Sequence, residues 1–76
     1  MENRITSDPD ILGGKPCVRG TRLSVEFILE LIASGASAGQ IVEAYPQLTP
    51  DDVEAAVLYA AISLRNDALL ELKVLG

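Results

Sequence analysis

Ile11-Leu12-Gly13-Gly14-Lys15-Pro16-Cys17-Val18-Arg19-Gly20-Thr21-Arg22-Leu23-Ser24 is the stretch on which the fold turns, because everything after it reads as helix and it does not. Glycines at 13, 14 and 20 open the left-handed backbone region, while Pro16 fixes its own φ and pushes Lys15 toward extended geometry. A short twisted hairpin satisfies these constraints and a helix does not. Residues 1–23 are therefore expected to form a β-hairpin arm.

Downstream, helix boundaries follow in close order. Ser24 is an N-cap residue, and Val25, Phe27, Ile28, Leu31 and Ile32 give the first helix a broad apolar face with Glu26 and Glu30 in water. Gly35 supplies its C′ stop. Ser37 and Gln40 have capping-box spacing and open a helix of about two turns, with Ile41, Val42 and Tyr45 as contacts and Pro46 as its end. Thr49 caps a third helix with Pro50 at its first position, and Asp51 and Asp52 lie where carboxylates complement the positive end of the helix dipole. Val53, Val57, Ala60, Ala61 and Leu64 recur every three or four residues, and the alanines at 55, 56, 60 and 61 let a neighbour approach closely. Helix three is thus expected at the centre of the core. The predicted fold is mostly α: a three-helix core over 24–66 behind a short hairpin, in one domain spanning 1–76.

Composition narrows the function classes. The 76 residues are 49% hydrophobic, with two Tyr, one Phe and no Trp, so the core is built from Ala, Leu, Ile and Val. A chain this short buries only about 60% of the surface that its unfolded form exposes, which makes a partner or second copy valuable. No apolar run reaches the roughly 18 residues needed to span a bilayer, and Met1-Glu2-Asn3-Arg4 lacks the pattern of a signal peptide, so the expected location is cytoplasmic with no membrane contact. One cysteine excludes an internal disulfide, and the absence of histidine excludes a histidine-based zinc site or general base. Cys17 reads as a small buried or half-buried thiol, since no histidine can activate it. Net charge is −5, unevenly spread. Up to Arg22 the cations Arg4, Lys15, Arg19 and Arg22 outnumber Glu2, Asp8 and Asp10, whereas beyond it Arg65 and Lys73 face eight carboxylates. The chain is a mildly basic arm on an acidic body.

The tail, 67–76, fits two periods. Leu70, Leu72 and Val74 alternate with Glu71 and Lys73 as in a strand, while Leu69, Leu72 and Leu75 suit a continued helix. Leu69, Leu70, Leu72, Val74 and Leu75 together form a candidate partner or dimer surface, against the alternative that they fold back onto the three helices.

Gly14-Lys15-Pro16-Cys17-Val18-Arg19-Gly20-Thr21-Arg22-Leu23, then Phe27-Ile28-Leu29-Glu30-Leu31, Ser34-Gly35 and Tyr45-Pro46-Gln47-Leu48-Thr49-Pro50-Asp51-Asp52-Val53-Glu54-Ala55-Ala56, resemble domain-of-unknown-function family 433 over about 5–61. The resemblance implies a homeodomain-like or winged helix-turn-helix with an N-terminal β-hairpin. It further implies a VapB-like antitoxin paired with a PIN-like ribonuclease toxin, with operator DNA and a homodimer as further candidates.

The residues weigh differently on these implications. A helix-turn-helix presents the N-terminal residues of its second helix to base edges, and here that helix would begin Pro50-Asp51-Asp52-Val53-Glu54. Carboxylates there oppose the phosphate neutralisation that drives non-specific affinity. DNA contact, if made, falls to Lys15, Arg19 and Arg22. The same cations suit an acidic protein partner, because a guanidinium pairs bidentately with the carboxylates that hold metal in a PIN-like nuclease, and Arg19 and Arg22 are the candidates. The structural alternative pairs them with Asp8, Asp10 or an acidic helix of the same chain, and assigns Gly20 and Thr21 to the turn. Catalysis is not expected, and no cofactor is: Gly13-Gly14-Lys15 is too short for a phosphate loop, and Asp51-Asp52-Val53-Glu54 is explained by capping.

Overall fold

The computed structural model describes residues 4–66 and shows three helices behind a minimal antiparallel sheet. Strand β1 (Ile5–Thr6) pairs with β2 (Cys17–Val18) in the register Ile5 to Val18 and Thr6 to Cys17. The Arg19 amide donates to the Arg4 carbonyl at 2.8 Å and lengthens this ladder by one rung. On its other side β2 is flanked by the chain's own return: Cys17 bridges to Ser24, the Val18 amide donates to Leu23 O at 3.0 Å, and the Val25 amide to Pro16 O at 2.9 Å. The hairpin therefore feeds straight into the first helix.

Between the strands, the Gly-rich segment coils instead of extending. Leu12, Gly13 and Gly14 take φ values of 54°, 65° and 89° in a single tight left-handed turn. Two of its three positions are glycine because that region is costly for side chains, and Leu12 accepts the cost. Its side chain stays exposed.

Helix α1 (Val25–Ala33) starts where Ser24 Oγ accepts the Phe27 amide at 2.9 Å. It ends in a Schellman motif: Gly35, at φ +106°, donates to Ile32 O and Ala36 to Leu31 O. Helix α2 (Ala38–Ala44) opens with the reciprocal Ser37–Gln40 capping box. Five residues lead to α3 (Pro50–Asn66), completing the helix-turn-helix pair. Every start predicted from capping chemistry is borne out.

Val18, Val25, Ile28, Ile41, Leu48, Val53 and Ala56 form the buried core, so all three helices and β2 contribute. Half-buried Ile5, Leu23, Leu29, Leu31, Val42 and Tyr45 close around it. Phe27 and Tyr45 meet edge to face with ring centroids 5.6 Å apart, tying α1 to the end of α2. Cys17 is buried as expected. Ile32, however, is exposed at the end of α1.

The larger departure concerns α3. Only its first half is central to the core: Val53, Ala55 and Ala56 are buried and Ala60 half-buried, whereas Val57 is 44% and Leu64 57% exposed, and Ala61 is exposed as well. The predicted apolar stripe is present but outruns its cover. With a rise of about 1.5 Å per residue, a 17-residue helix is far longer than the nine-residue α1 packed against it. The candidate surface at Leu69, Leu70, Leu72, Val74 and Leu75 lies outside the described residues.

Leu48 lies in the α2–α3 connection and is 2% exposed, so it is a core residue supplied by a turn. Leu48→Ala and Ile28→Ala are each expected to lower unfolding free energy by about 2–4 kcal/mol, against less than about 0.5 for Leu64→Ser, in urea titrations of the three variants.

Candidate functional site

The arm's cations divide into three environments. Arg4, immediately before β1, reaches α3: Nη1 donates to Asp52 Oδ1 at 2.9 Å and Nη2 to Asp51 Oδ2 at 3.5 Å. Lys15 Nζ pairs with Glu26 Oε1 at 3.1 Å on the first turn of α1, with both side chains more than 60% exposed. Arg19 and Arg22 sit on the turn between β2 and α1, and both residues are exposed.

What holds the Arg19–Arg22 turn is Thr21. Its amide and its hydroxyl both donate to Val18 O, at 3.0 and 2.8 Å, and its Oγ1 accepts the Leu23 amide at 3.0 Å. Together with Leu23 O accepting from Val18, these bonds fix a turn on which two guanidinium-bearing side chains are presented from an ordered backbone. Thr21 is therefore a turn-building residue, as its type and position suggested.

Lys15 has a different setting. It stands with Glu26 and Glu30 at the rim of a groove of about 620 Å³ between α1 and α3, whose floor is Val25, Leu29, Ala33, Ala60 and Leu64, with Tyr59 at its side. The ion pair with Glu26 realises the structural alternative of pairing with an acidic helix of the same chain. Being exposed, it contributes at most about 1 kcal/mol.

The Arg4–Asp52 contact is a charged interaction with real burial. Asp52 is 8% exposed and its two oxygens are used separately: Oδ1 takes Arg4, and Oδ2 accepts the Thr49 amide at 2.9 Å, while the Asp52 amide donates to Thr49 Oγ1 at 3.2 Å. This is a capping box with aspartate in the place of glutamate. Burial pushes the carboxyl upward, but the hydrogen bonds from Thr49 and the Arg4 guanidinium outweigh it and hold Asp52 below the usual carboxylate range. The sequence marked Asp52 as a helix-dipole residue. It offered no signal for Arg4, which is separated from Asp52 by 48 positions.

Among the described residues, no group of three or more His, Cys, Asp or Glu side chains converges as metal ligands, and no buried side-chain nitrogen or oxygen lacks a partner. No described helix is long and apolar enough to cross a membrane.

A hairpin clasped by an arginine onto a capped helix-turn-helix defines a small, mostly helical domain. The chain belongs to the family described as proteins of unknown function, DUF433, whose sequence pattern matches residues 5–60. An uncharacterised protein, y4eO, of Sinorhizobium fredii is 45% identical over 56 residues, which are 74% of this chain and 25% of the relative. The chain thus spans about a quarter of that protein's length. The crystal structure of a DUF433 member from Anabaena variabilis, 27% identical, superposes with a TM-score of 0.76 over 99% of this chain and 71% of the other.

Asp52→Ala is expected to cost about 1–3 kcal/mol through loss of the cap and of the buried partner of Arg4. Because the folded carboxyl titrates below its ordinary value, this stabilisation is complete above the unfolded Asp pKa of about 3.9 and is lost as pH falls through the lower folded value. Urea titrations at pH 7 and in acid should therefore show the wild type losing more stability than Asp52→Asn on acidification.

Proposed function

We propose that the chain is an antitoxin-like protein that binds and restrains a PIN-like ribonuclease, with Arg19 and Arg22 meeting the partner's acidic metal-binding site. The observation that carries this reading is the β2–α1 turn, where Thr21 braces an exposed pair of arginines on ordered backbone. A pre-ordered turn loses little conformational entropy on binding, and a guanidinium matches a carboxylate pair in a bidentate geometry. Lys15 is a rim contact in this reading, since it can exchange Glu26 for a partner carboxylate at small cost. Autoregulation through operator DNA would be a secondary activity of the complex.

The second reading is a stand-alone DNA-binding regulator, favoured by the helix-turn-helix order of α2 and α3. The leading edge of α3 works against it. Asp51 and Glu54 are exposed there, and the guanidinium nearest them, Arg4, is already engaged by Asp52 and Asp51. Any DNA contact therefore falls to the arm, from Arg19, Arg22 and Lys15.

The test is capture with the tagged full chain from nuclease-treated lysate, followed by native mass spectrometry. A stoichiometric ribonuclease, lost with Arg19→Glu/Arg22→Glu and retained with Lys15→Ala, is the expected result. Retention of that partner by the double reversal removes the turn from the site. A variant that keeps its protein partner and loses only salt-sensitive DNA binding moves the assignment to the second reading.

A further inference from the structure

The face of α3 that points away from the core has a pattern of its own. Asp52, Val53, Ala55 and Ala56 are buried and Ala60 and Ser63 half-buried, which fixes the inward side of the helix. Opposite them, Glu54, Leu58, Ala61 and Arg65 succeed one another at intervals of four, three and four residues, all exposed, in one line along the helix. Val57 and Ile62, 44% and 45% exposed, flank the line on either side. The ends of the stripe carry opposite charges and its centre is apolar, with a large and a small residue adjacent.

This arrangement is self-complementary under a two-fold axis perpendicular to α3 between Tyr59 and Ala60. An antiparallel copy of the helix then sets Glu54 against the partner's Arg65 and Arg65 against the partner's Glu54. Leu58 meets the partner's Ala61, large against small, so that the helices can approach closely, while the two copies of Val57 lie along one edge of the seam and the two copies of Ile62 along the other. A parallel pairing would instead oppose Glu54 to Glu54 and Arg65 to Arg65. We infer that the outer face of α3 binds a second copy of this chain, antiparallel, through Glu54, Val57, Leu58, Ala61, Ile62 and Arg65. The occupant is fixed by charge complementarity: the stripe reads the same, with signs matched, only against its own reverse. The surface lies on a different element from the Arg19–Arg22 turn, so the two sites are independent.

The test is sedimentation velocity on the full chain across a concentration series, with charge exchange between copies. The wild type should dimerise. Glu54→Arg and Arg65→Glu should each raise the dimer Kd roughly tenfold or more, because each puts two like-charged pairs in the interface. An equimolar mixture of the two variants should recover a heterodimer within about threefold of the wild-type Kd, since every pair is then again opposite in sign. Leu58→Glu should abolish dimerisation irrespective of salt. All are exposed positions, and circular dichroism melts check that each variant folds; Glu54→Gln and Arg65→Gln in the same assay serve if a reversal unfolds. A wild type that is monomeric at about 500 μM, single variants that dimerise as tightly as the wild type, or a mixture no tighter than its components would each overturn the inference.

Discussion

One carboxylate holds the two halves of the molecule together. Asp52 caps α3 with one oxygen and anchors the β1 arm through Arg4 with the other, and at 8% exposure it can do so only because both oxygens are satisfied. Two local structures that are each marginal are thereby coupled. The strands are two residues long, too short to persist as an isolated hairpin, and the arm has little apolar surface beyond Ile5, Cys17, Val18 and Leu23. The β2 pairing places Val18 in the core, the ladder holds Arg4 at its end, and Arg4 returns the chain to the start of α3. Breaking that contact leaves a buried charge uncompensated, so its removal costs more than the pair contributes net.

The same arrangement sorts the charges by function. Arg4 is held by Asp52 and Asp51 and Lys15 by Glu26, and Arg19 and Arg22 are exposed on the turn that Thr21 braces. The acidic excess is likewise divided, with Asp52 structural and Asp51 and Glu54 at the surface of α3. A net charge of −5 therefore describes neither surface. The basic turn and the outward helical stripe belong to different elements.

Core size explains why α3 carries exposed apolar residues at all. Seven buried side chains from five short segments fill the interior, with Leu48 reaching in from a turn because α2 is only two turns long. The nine residues of α1 cover α3 as far as Ala60 and leave a groove beyond it. Val57, Leu58, Ile62 and Leu64 are therefore exposed.

Local chemistry made much of this legible in advance. Ser24, Ser37, Thr49 and Gly35 mark helix limits through hydrogen bonds confined to three or four residues, so the three helices, their starts and the Schellman stop follow from sequence alone. The turn role of Thr21 follows in the same way. The periodicity of α3 was legible too, but periodicity specifies a face and not what covers it, so Val57, Ala61 and Leu64 were assigned to a core that ends before them. The pairing of Arg4 with Asp52, that of Lys15 with Glu26, and the recruitment of Leu48 depend on residues brought together across the chain. Sequence determines what each segment can form because its bonds are local; only the tertiary structure decides which charges meet across the fold, because that is settled by packing between segments far apart in the chain.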